Sequence, residues 1–238
     1  TADDDTADDD TADDDTTDDD TADDDTTDDD TGDDDTGDDD TGDDDTTIVW
    51  SDDFDAYSVG NPPPEPWEVT VGGNAVVEVV ALDKAVNQAL LTQSTAYGDY
   101  YHVKYMHDTA ILDRGGVIFD ADILSGSSVV FFLHAEVSDL ALVHYFLGEL
   151  AAQDDDGNLI TCVATVNYGV WHTIDIRADI DNHSYDVIFD GNSTPCTDIT
   201  FTMDGAFPLT EIQGFSVYNV DSWNGAAKVD NIRLYSIP

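Results

Sequence analysis

Residues 1–45 consist of nine consecutive copies of one five-residue unit, Thr-x-Asp-Asp-Asp with x Ala, Thr or Gly. Each copy carries three carboxylates, no cation and no large apolar side chain. The segment therefore has nothing with which to bury a core, and its charges push it toward an expanded chain. A helix is disfavoured because Asp and Thr are poor helix formers and runs of Asp place like charges at i,i+3 and i,i+4. A solenoid is disfavoured because each unit offers at most an Ala or Thr methyl to an interior. What remains is an extended or polyproline-II-like rod, roughly 140 Å long at about 3.1 Å per residue. Its threonines recur at fixed intervals, at Thr1, Thr6, Thr11, Thr16, Thr21, Thr26, Thr31, Thr36 and Thr41, and are candidate acceptors for O-linked sugars. The Asp triplets, beginning with Asp3, Asp4 and Asp5, offer the oxygen ligands that Ca²⁺ prefers. Order in such a rod needs cations, covalent sugars or neighbouring chains. The sequence opens in phase with the repeat and without Met, so the expectation is a processed product or a piece whose repeat continues upstream.

Residues 46–238 are a different kind of chain. They hold every aromatic residue, both cysteines and all six Lys and Arg, enough for one sizeable core. Of the 55 acids, 27 belong to the repeat, which leaves 28 against six cations and a net charge near −22 for this part. A field of that sign disfavours nucleic acid and anionic membrane surfaces and suits divalent cations. No apolar run approaches the ~20 residues of a membrane span. Cys162 and Cys196 lack metal-ligand spacing; a secreted chain would join them as a disulfide, the alternative being two buried thiols. Asn182-His-Ser and Asn192-Ser-Thr are N-glycosylation sequons, in keeping with a secreted, extracellular or cell-surface address.

From Ile48 onward, alternating apolar and polar runs recur between Gly, Asn and Asp, as in Val129-Val-Phe-Phe-Leu-His and Trp171-His-Thr-Ile-Asp-Ile-Arg-Ala. That period of two predicts strands. Asp156-Gly157 and Asp190-Gly191 suit type I′ hairpin turns, and only Leu82 to Leu91 offers a helical turn or two. Strands recurring without crossover helices predict an all-β sandwich over 46–238, preceded by the rod over 1–45.

Several segments carry a family likeness. Trp50-Ser-Asp-Asp-Phe-Asp-Ala-Tyr, with Trp67 and Gly72-Gly73, resembles the opening strands of concanavalin A-like jelly rolls, the superfamily of laminin-G-like domains, legume-type lectins and family 16 glucanases. Gly169-Val-Trp-His-Thr-Ile-Asp-Ile followed by Tyr185-Asp-Val-Ile-Phe-Asp-Gly resembles the hairpin common in laminin-G-like members. Lys228-Val-Asp-Asn-Ile-Arg-Leu-Tyr resembles their terminal strand, which pairs near the first. The resemblance implies a jelly roll and a structural Ca²⁺ that ties the first strand to the last, with Asp230 as the terminal-strand carboxylate and Asp53 and Gly73 in matching neighbourhoods. It also implies a place to look for glucanase chemistry. The paired-carboxylate strand that such enzymes use is absent from this sequence, which argues against an enzyme. The nearest pattern is His134-x-Glu136-x-Ser138, with His102, Lys104 and His144 on other strands able to line the same sheet face; Glu136 beside a His or Tyr is a conceivable lyase base.

Sugar binding without catalysis asks for exposed aromatic rings. Trp223, in the loop-like Asp221-Ser-Trp-Asn-Gly, and Tyr101, in the cluster Tyr97, Tyr100, Tyr101 and Tyr105, are the candidates; Trp67 and Trp171 read as core. Asp154-Asp155-Asp156-Gly157-Asn158 reads as a hairpin turn and does not match an EF-hand loop. Two functional readings follow. The first is an extracellular structural protein that self-associates into a filament, the repeat forming a glycosylated or Ca²⁺-binding rod and the sandwich a protomer contact. The second is a carbohydrate-binding or adhesion module on an acidic stalk, with glycans as partners. A polysaccharide hydrolase or lyase ranks below both.

Overall fold

A computed structural model describes residues 46–82, 87–111, 113–126, 128–135, 138–201, 211–219 and 224–238. The repeat, with its threonines and with Asp3, Asp4 and Asp5, lies outside the described residues, as do Glu136 and Trp223. In chain order the strands are β1 (Thr47–Asp52), β2 (Glu68–Gly72), β3 (Val76–Ala81), β4 (Gln88–Ser94), β5 (Tyr100–Ile111) and β6 (Arg114–Gly126). There follow β7 (Ser128–His134), β8 (Asp139–Phe146), β9 (Glu149–Gln153), β10 (Leu159–Val163) and β11 (Trp171–Asp179). The last are β12 (Ser184–Phe189), β13 (Asn192–Ser193), β14 (Ile199–Thr200), β15 (Ile212–Asn219) and β16 (Gly225–Ile237).

They form two antiparallel sheets packed as a jelly-roll sandwich. One runs β13-β12-β11-β6-β16-β4-β3, with β1 added on β16 and β14 on β12; the other runs β10-β9-β8-β7-β15-β5-β2. Strand β16 is long enough to hold two partners on one side. Its first half pairs with β4, and its second half pairs with β1 from Thr47↔Ser236 to Asp52↔Ile232. The terminal strand therefore does meet the first.

Alternation decides which side chains enter the core. In β7, Val129, Phe131 and Leu133 point inward and are fully buried, while Phe132 stands partly exposed on the other face. In β11, Ile174, Ile176 and Ala178 take the inner face. Rings from both sheets meet in the middle: Phe119 of β6 lies 4.8 Å from Phe131 and 4.8 Å from Phe215 of β15. The rings are offset and tilted, the arrangement aromatic quadrupoles prefer. Trp67 is core, as expected; its indole N–H donates to Asp52 Oδ2 at 2.8 Å, and its ring lies against Trp50 and Tyr105.

Three local expectations need correction. Trp171 is not core but 38 % exposed, because it sits in the outward phase of β11, three residues before the inward Ile174. Gln88 to Leu91 belong to strand β4 rather than to a helical turn; neighbours on both sides, β3 and β16, hold them extended. Asp190-Gly191 has positive φ at both residues, the type I′ condition, whereas in the β9–β10 turn only Gly157 does. There Asp154 closes a longer loop, its carbonyl accepting from Gly157 N and its carboxylate from Asn158 N.

Cys162 of β10 and Cys196, which follows β13, are joined by a disulfide. The bond ties the edge of the seven-stranded sheet to the margin of the other. Asn182, in the β11–β12 turn, and Asn192, on β13, are both exposed.

Candidate functional site

The outer face of the seven-stranded sheet gathers polar and aromatic side chains in its middle. Because Phe215 and Val217 face the core, Ser216 and Tyr218 between and beyond them face outward. Register then sets their neighbours: Ser216 lies opposite Phe132 on β7 and Lys104 on β5, and Tyr218 opposite Val130 and His102. The rings touch as this register requires. His102 and Tyr218 are edge to face at 5.5 Å between centroids, Phe132 and Tyr218 at 6.0 Å, Phe132 and His134 stacked at 5.6 Å, and His102 and His134 at 6.4 Å. His144 stands opposite Val130 on the next strand and hydrogen bonds Gln153 at 2.9 Å.

His134 is held from both sides. Its Nδ1 is 2.7 Å from Asp139 Oδ1 and its Nε2 is 2.7 Å from Ser216 Oγ. An ionised carboxylate only accepts, so Nδ1 carries a proton. Burial works against the Asp139 charge, but the hydrogen bond and charge of His134 outweigh it and keep the carboxyl below its ordinary range. The order Asp139–His134–Ser216 has the connectivity of an orienter, base and nucleophile. Ser216 is nevertheless fully buried, so its hydroxyl is not presented to a substrate, and the chain acts as a brace that fixes the His134 ring. His102 takes part in none of the hydrogen bonds among the described residues. Its pKa is lowered, first by burial and then by the nearby charges of His134 and Lys104, which keeps the imidazole neutral near pH 7 with one donor and one acceptor to offer.

The sequence thus placed His102, Lys104, His134 and His144 on one face correctly, and it missed Phe132, Tyr218, Ser216 and Asp139. The signal was available in the phase of β15, where Gly214-Phe-Ser-Val-Tyr alternates. Tyr101 must be corrected as a sugar-binding candidate: it is 0 % exposed, because in β5 it shares the inward phase with Val103 and Tyr105. Tyr105 stacks on Trp50 at 3.7 Å, and Tyr97 stands alone at 85 % exposure.

A second arrangement lies on the other sheet, around Asp230. Its carboxyl is 4 % exposed and opposite Asp120 in the β16–β6 register. A bulge follows between Asp230 and Arg233, with Asn231 at φ 51°. Asp230 Oδ1 accepts from Asn231 N at 2.7 Å, and Asn231 Nδ2 donates to Asp120 Oδ2 at 2.9 Å. Burial, reinforced by the charges of Asp55, Asp120 and Asp53, pushes Asp230 up to about 6. Asp55 accepts from the Gln88 backbone at 2.8 Å and, through its carbonyl, from the Gln88 amide at 3.1 Å, which leaves Gln88 Oε1 buried without a partner. Beside this group lies a cleft of about 350 Å³ lined by Trp50, Asp52, Asp53, Tyr57, Asn231 and Arg233.

The buried Asp230 carboxylate, repelled by the exposed Asp53 and Asp55, and the orphaned Gln88 amide oxygen make an all-oxygen donor set that fits Ca²⁺. Asp230, Asp53 and Asp55 with Gln88 Oε1 are the residues that would hold the ion. Among the described residues only Asp154, Asp155 and Asp156 bring three carboxylates within 4.8 Å of one another, on the exposed turn that their own hydrogen bonds explain. The acids around Asp230 stand farther apart and must close in to share one ion. Gly73 lies in the β2–β3 turn at φ 68°, against Asp99.

No protein-family model matches the chain, and no curated protein matches it in sequence. Solved structures do share its architecture. It is similar to a sialidase with a TM-score of 0.63 at 13 % identity, over 79 % of this chain and only 18 % of that one. It is similar to the cellulose-induced protein Cip1 with a TM-score of 0.55 at 12 % identity, over 78 % of this chain and 96 % of that one. An alginate lyase of polysaccharide lyase family 7 gives 0.50 at 14 % identity, over 67 % and 82 %. Likeness at that identity establishes the sandwich fold and leaves the function to be argued from the residues.

Proposed function

We propose that residues 46–238 are a carbohydrate-binding module that works outside the cell or on its surface, using the outer face of the seven-stranded sheet. The observation that carries this is the group of Phe132, Tyr218, His102 and His134 rings around Ser216, with Lys104 beside them. Partly exposed rings offer a pyranose its stacking surface, and the neutral His102 and the Tyr218 hydroxyl offer directional hydrogen bonds to its hydroxyls. Two of the structural neighbours, a sialidase and an alginate lyase, are named for activity on carbohydrate, in keeping with this reading. The disulfide is of the kind that persists in oxidising compartments.

Ca²⁺ at Asp230 is the second part of the reading: an ion there would lock the first strand to the last and support the face from behind. The acidic repeat would serve as a stalk, its aspartates available to Ca²⁺ and its threonines to sugars. The filament that heads the sequence reading finds no support among the described residues, so the module takes precedence.

The test is affinity electrophoresis of the full chain through gels containing neutral and acidic polysaccharides. Retardation by at least one glycan is expected, and Tyr218→Ala should weaken it by up to about tenfold, since a stacked aromatic contact is worth about 0.5–1.5 kcal/mol beyond its buried area and about 1.4 kcal/mol is tenfold. Mobility unchanged by every glycan would sink the module reading.

A further inference from the structure

We infer that the saccharide bound on this face is anionic, its carboxylate or sulfate ester held by Lys104 with His102 alongside. This rests on the carbohydrate-binding reading and names the ligand class within it.

The argument is one of charge distribution. Residues 46–238 carry 28 acids against six cations, so a surface patch drawn at random is acidic. The middle of this face is not. The ionisable side chains facing outward along its central strands are His102, Lys104, His134 and His144. Among the described residues the carboxylates of this face stand toward its margins: Glu68 on the edge strand β2, opposite Lys104, Asp108 near the far end of β5, Glu149 on β9, and Asp139 at the start of β8, where it is taken by His134. Three of the six histidines thus share this face with Lys104.

Lys104 is distinct among the cations of the described residues. Arg114, Arg177 and Lys228 each have a carboxylate within reach, at 3.4, 2.8 and 3.6 Å from Asp179, Asp175 and Asp122. Arg233 has no ion-pair partner among the described residues but is exposed to solvent. Lys104 is half-buried and also has no ion-pair partner among them. Glu68 lies opposite it across the β2–β5 register but forms no ion pair with it among the described residues, so the partly desolvated ammonium keeps donors to offer, and an anion delivered to it gains a charge-assisted hydrogen bond. The pKa of His102 is lowered first by burial, with His134 and Lys104 adding to it against the opposing charges of Asp139 and Glu68. His134 cannot serve the ligand through its nitrogens, because Asp139 and Ser216 occupy both. That leaves Lys104 as the charge and His102 as the neutral donor beside it.

A ligand of this class must enter a field that is otherwise repulsive, so the local cation decides whether it binds. The same geometry explains what the brace is for: with His134 tied down, its ring stands fixed beside His102.

The experiment measures binding of the full chain to polygalacturonate, dextran sulfate and the neutral hydroxyethyl cellulose, at 50 and 500 mM NaCl, with wild type, Lys104→Met and His102→Gln. The expected result is binding to at least one of the two polyanions, weakened by the higher salt, and lost by tenfold or more in Lys104→Met. His102→Gln, which keeps a donor, should lose less. Methionine preserves the unbranched stem, so a change in thermal midpoint would separate misfolding from lost charge. Ca²⁺-bridged adhesion of the Asp repeat to a polyanion would be indifferent to Lys104, so binding unaffected by Lys104→Met overturns the inference. Binding to the neutral glycan alone overturns it too but leaves the carbohydrate-binding reading standing. Binding to none of the three here, and to no glycan in the wider panel, overturns both.

Discussion

In metal-free buffer at pH 7, Asp230→Asn is expected to melt about 5 °C above the wild-type protein, and in millimolar Ca²⁺ to melt below it. The reversal follows from one buried carboxyl. Its pKa is raised to about 6 by burial and by the charges of Asp55, Asp120 and Asp53. A carboxylate whose folded pKa exceeds its unfolded value is a burden above that range: the folded state would rather keep the proton that neutral solution removes. The penalty is on the order of 2 kcal/mol after allowance for relaxation, and a domain of this size gains about 2–4 °C per kcal/mol. Asparagine keeps the shape and discards the charge. The two metal-free proteins should therefore converge below about pH 4, where Asp230 is protonated in the folded and unfolded states alike. With Ca²⁺ the sign should invert if the proposed site is real, because a wild type that binds the ion only when folded would gain about 2.7 kcal/mol at a hundredfold excess over Kd. Calorimetric scans of both proteins, with EGTA and with Ca²⁺, read all of this. A wild-type midpoint indifferent to Ca²⁺ would remove the ion from the reading, and a metal-free Asn variant no more stable than wild type would mean the carboxylate is better solvated than its 4 % exposure indicates.

The second large effect concerns the disulfide. Replacing Cys162 and Cys196 together by Ala should lower the midpoint by roughly 8–15 °C. The bond closes a loop with a sequence separation of 34, and loop-closure entropy for that length is worth about 4 kcal/mol. Both sulfurs are buried and both residues belong to the core cluster, so Ala also leaves small voids. The loss should appear equally in wild-type protein treated with a reductant. It should appear as earlier proteolysis around β10 and β13, the segments the bond joins, before it reaches the phenylalanine centre. A midpoint changed by less than 2 °C would show that packing alone holds those margins in place.

How far the sequence could be read depended on whether a feature is local. The strands were legible because alternation is local: Phe131 and Leu133 inward and Phe132 outward follow from the period alone. The same rule places Tyr101 in the core and Tyr218 on the face, but only once the phase of each strand is known, and phase is set by partners distant in sequence. Trp171 illustrates this, since a large aromatic in a strand motif looks like core until Ile174 and Ile176 fix the phase against it. The charge centre at Lys104 was partly legible, because His102 and Lys104 alternate on one strand while His134 and His144 each sit on their own. The acids that crowd Asp230 were less so. Asp120 reaches it through a register between β6 and β16 separated by about a hundred residues of chain, and Gln88 and Asp55 arrive through loop geometry that no spacing rule encodes.

The pairing of β1 with the second half of β16 has a mechanical consequence. Thr47 and Ser236 are partners at the same end of that pair, and the repeat leads directly into the Thr47 end. A pull exerted between the repeat and the chain beyond Ser236 therefore opens the strands like a zipper, breaking one hydrogen-bonded rung at a time at low force. A pull between the repeat and a glycan on the opposite sheet runs differently: it loads β1 along its length and through Trp50, stacked on Tyr105, so that many rungs resist together. If the sandwich binds a glycan and the repeat tethers it, as proposed, such a module would hold under one direction of load and yield under the other.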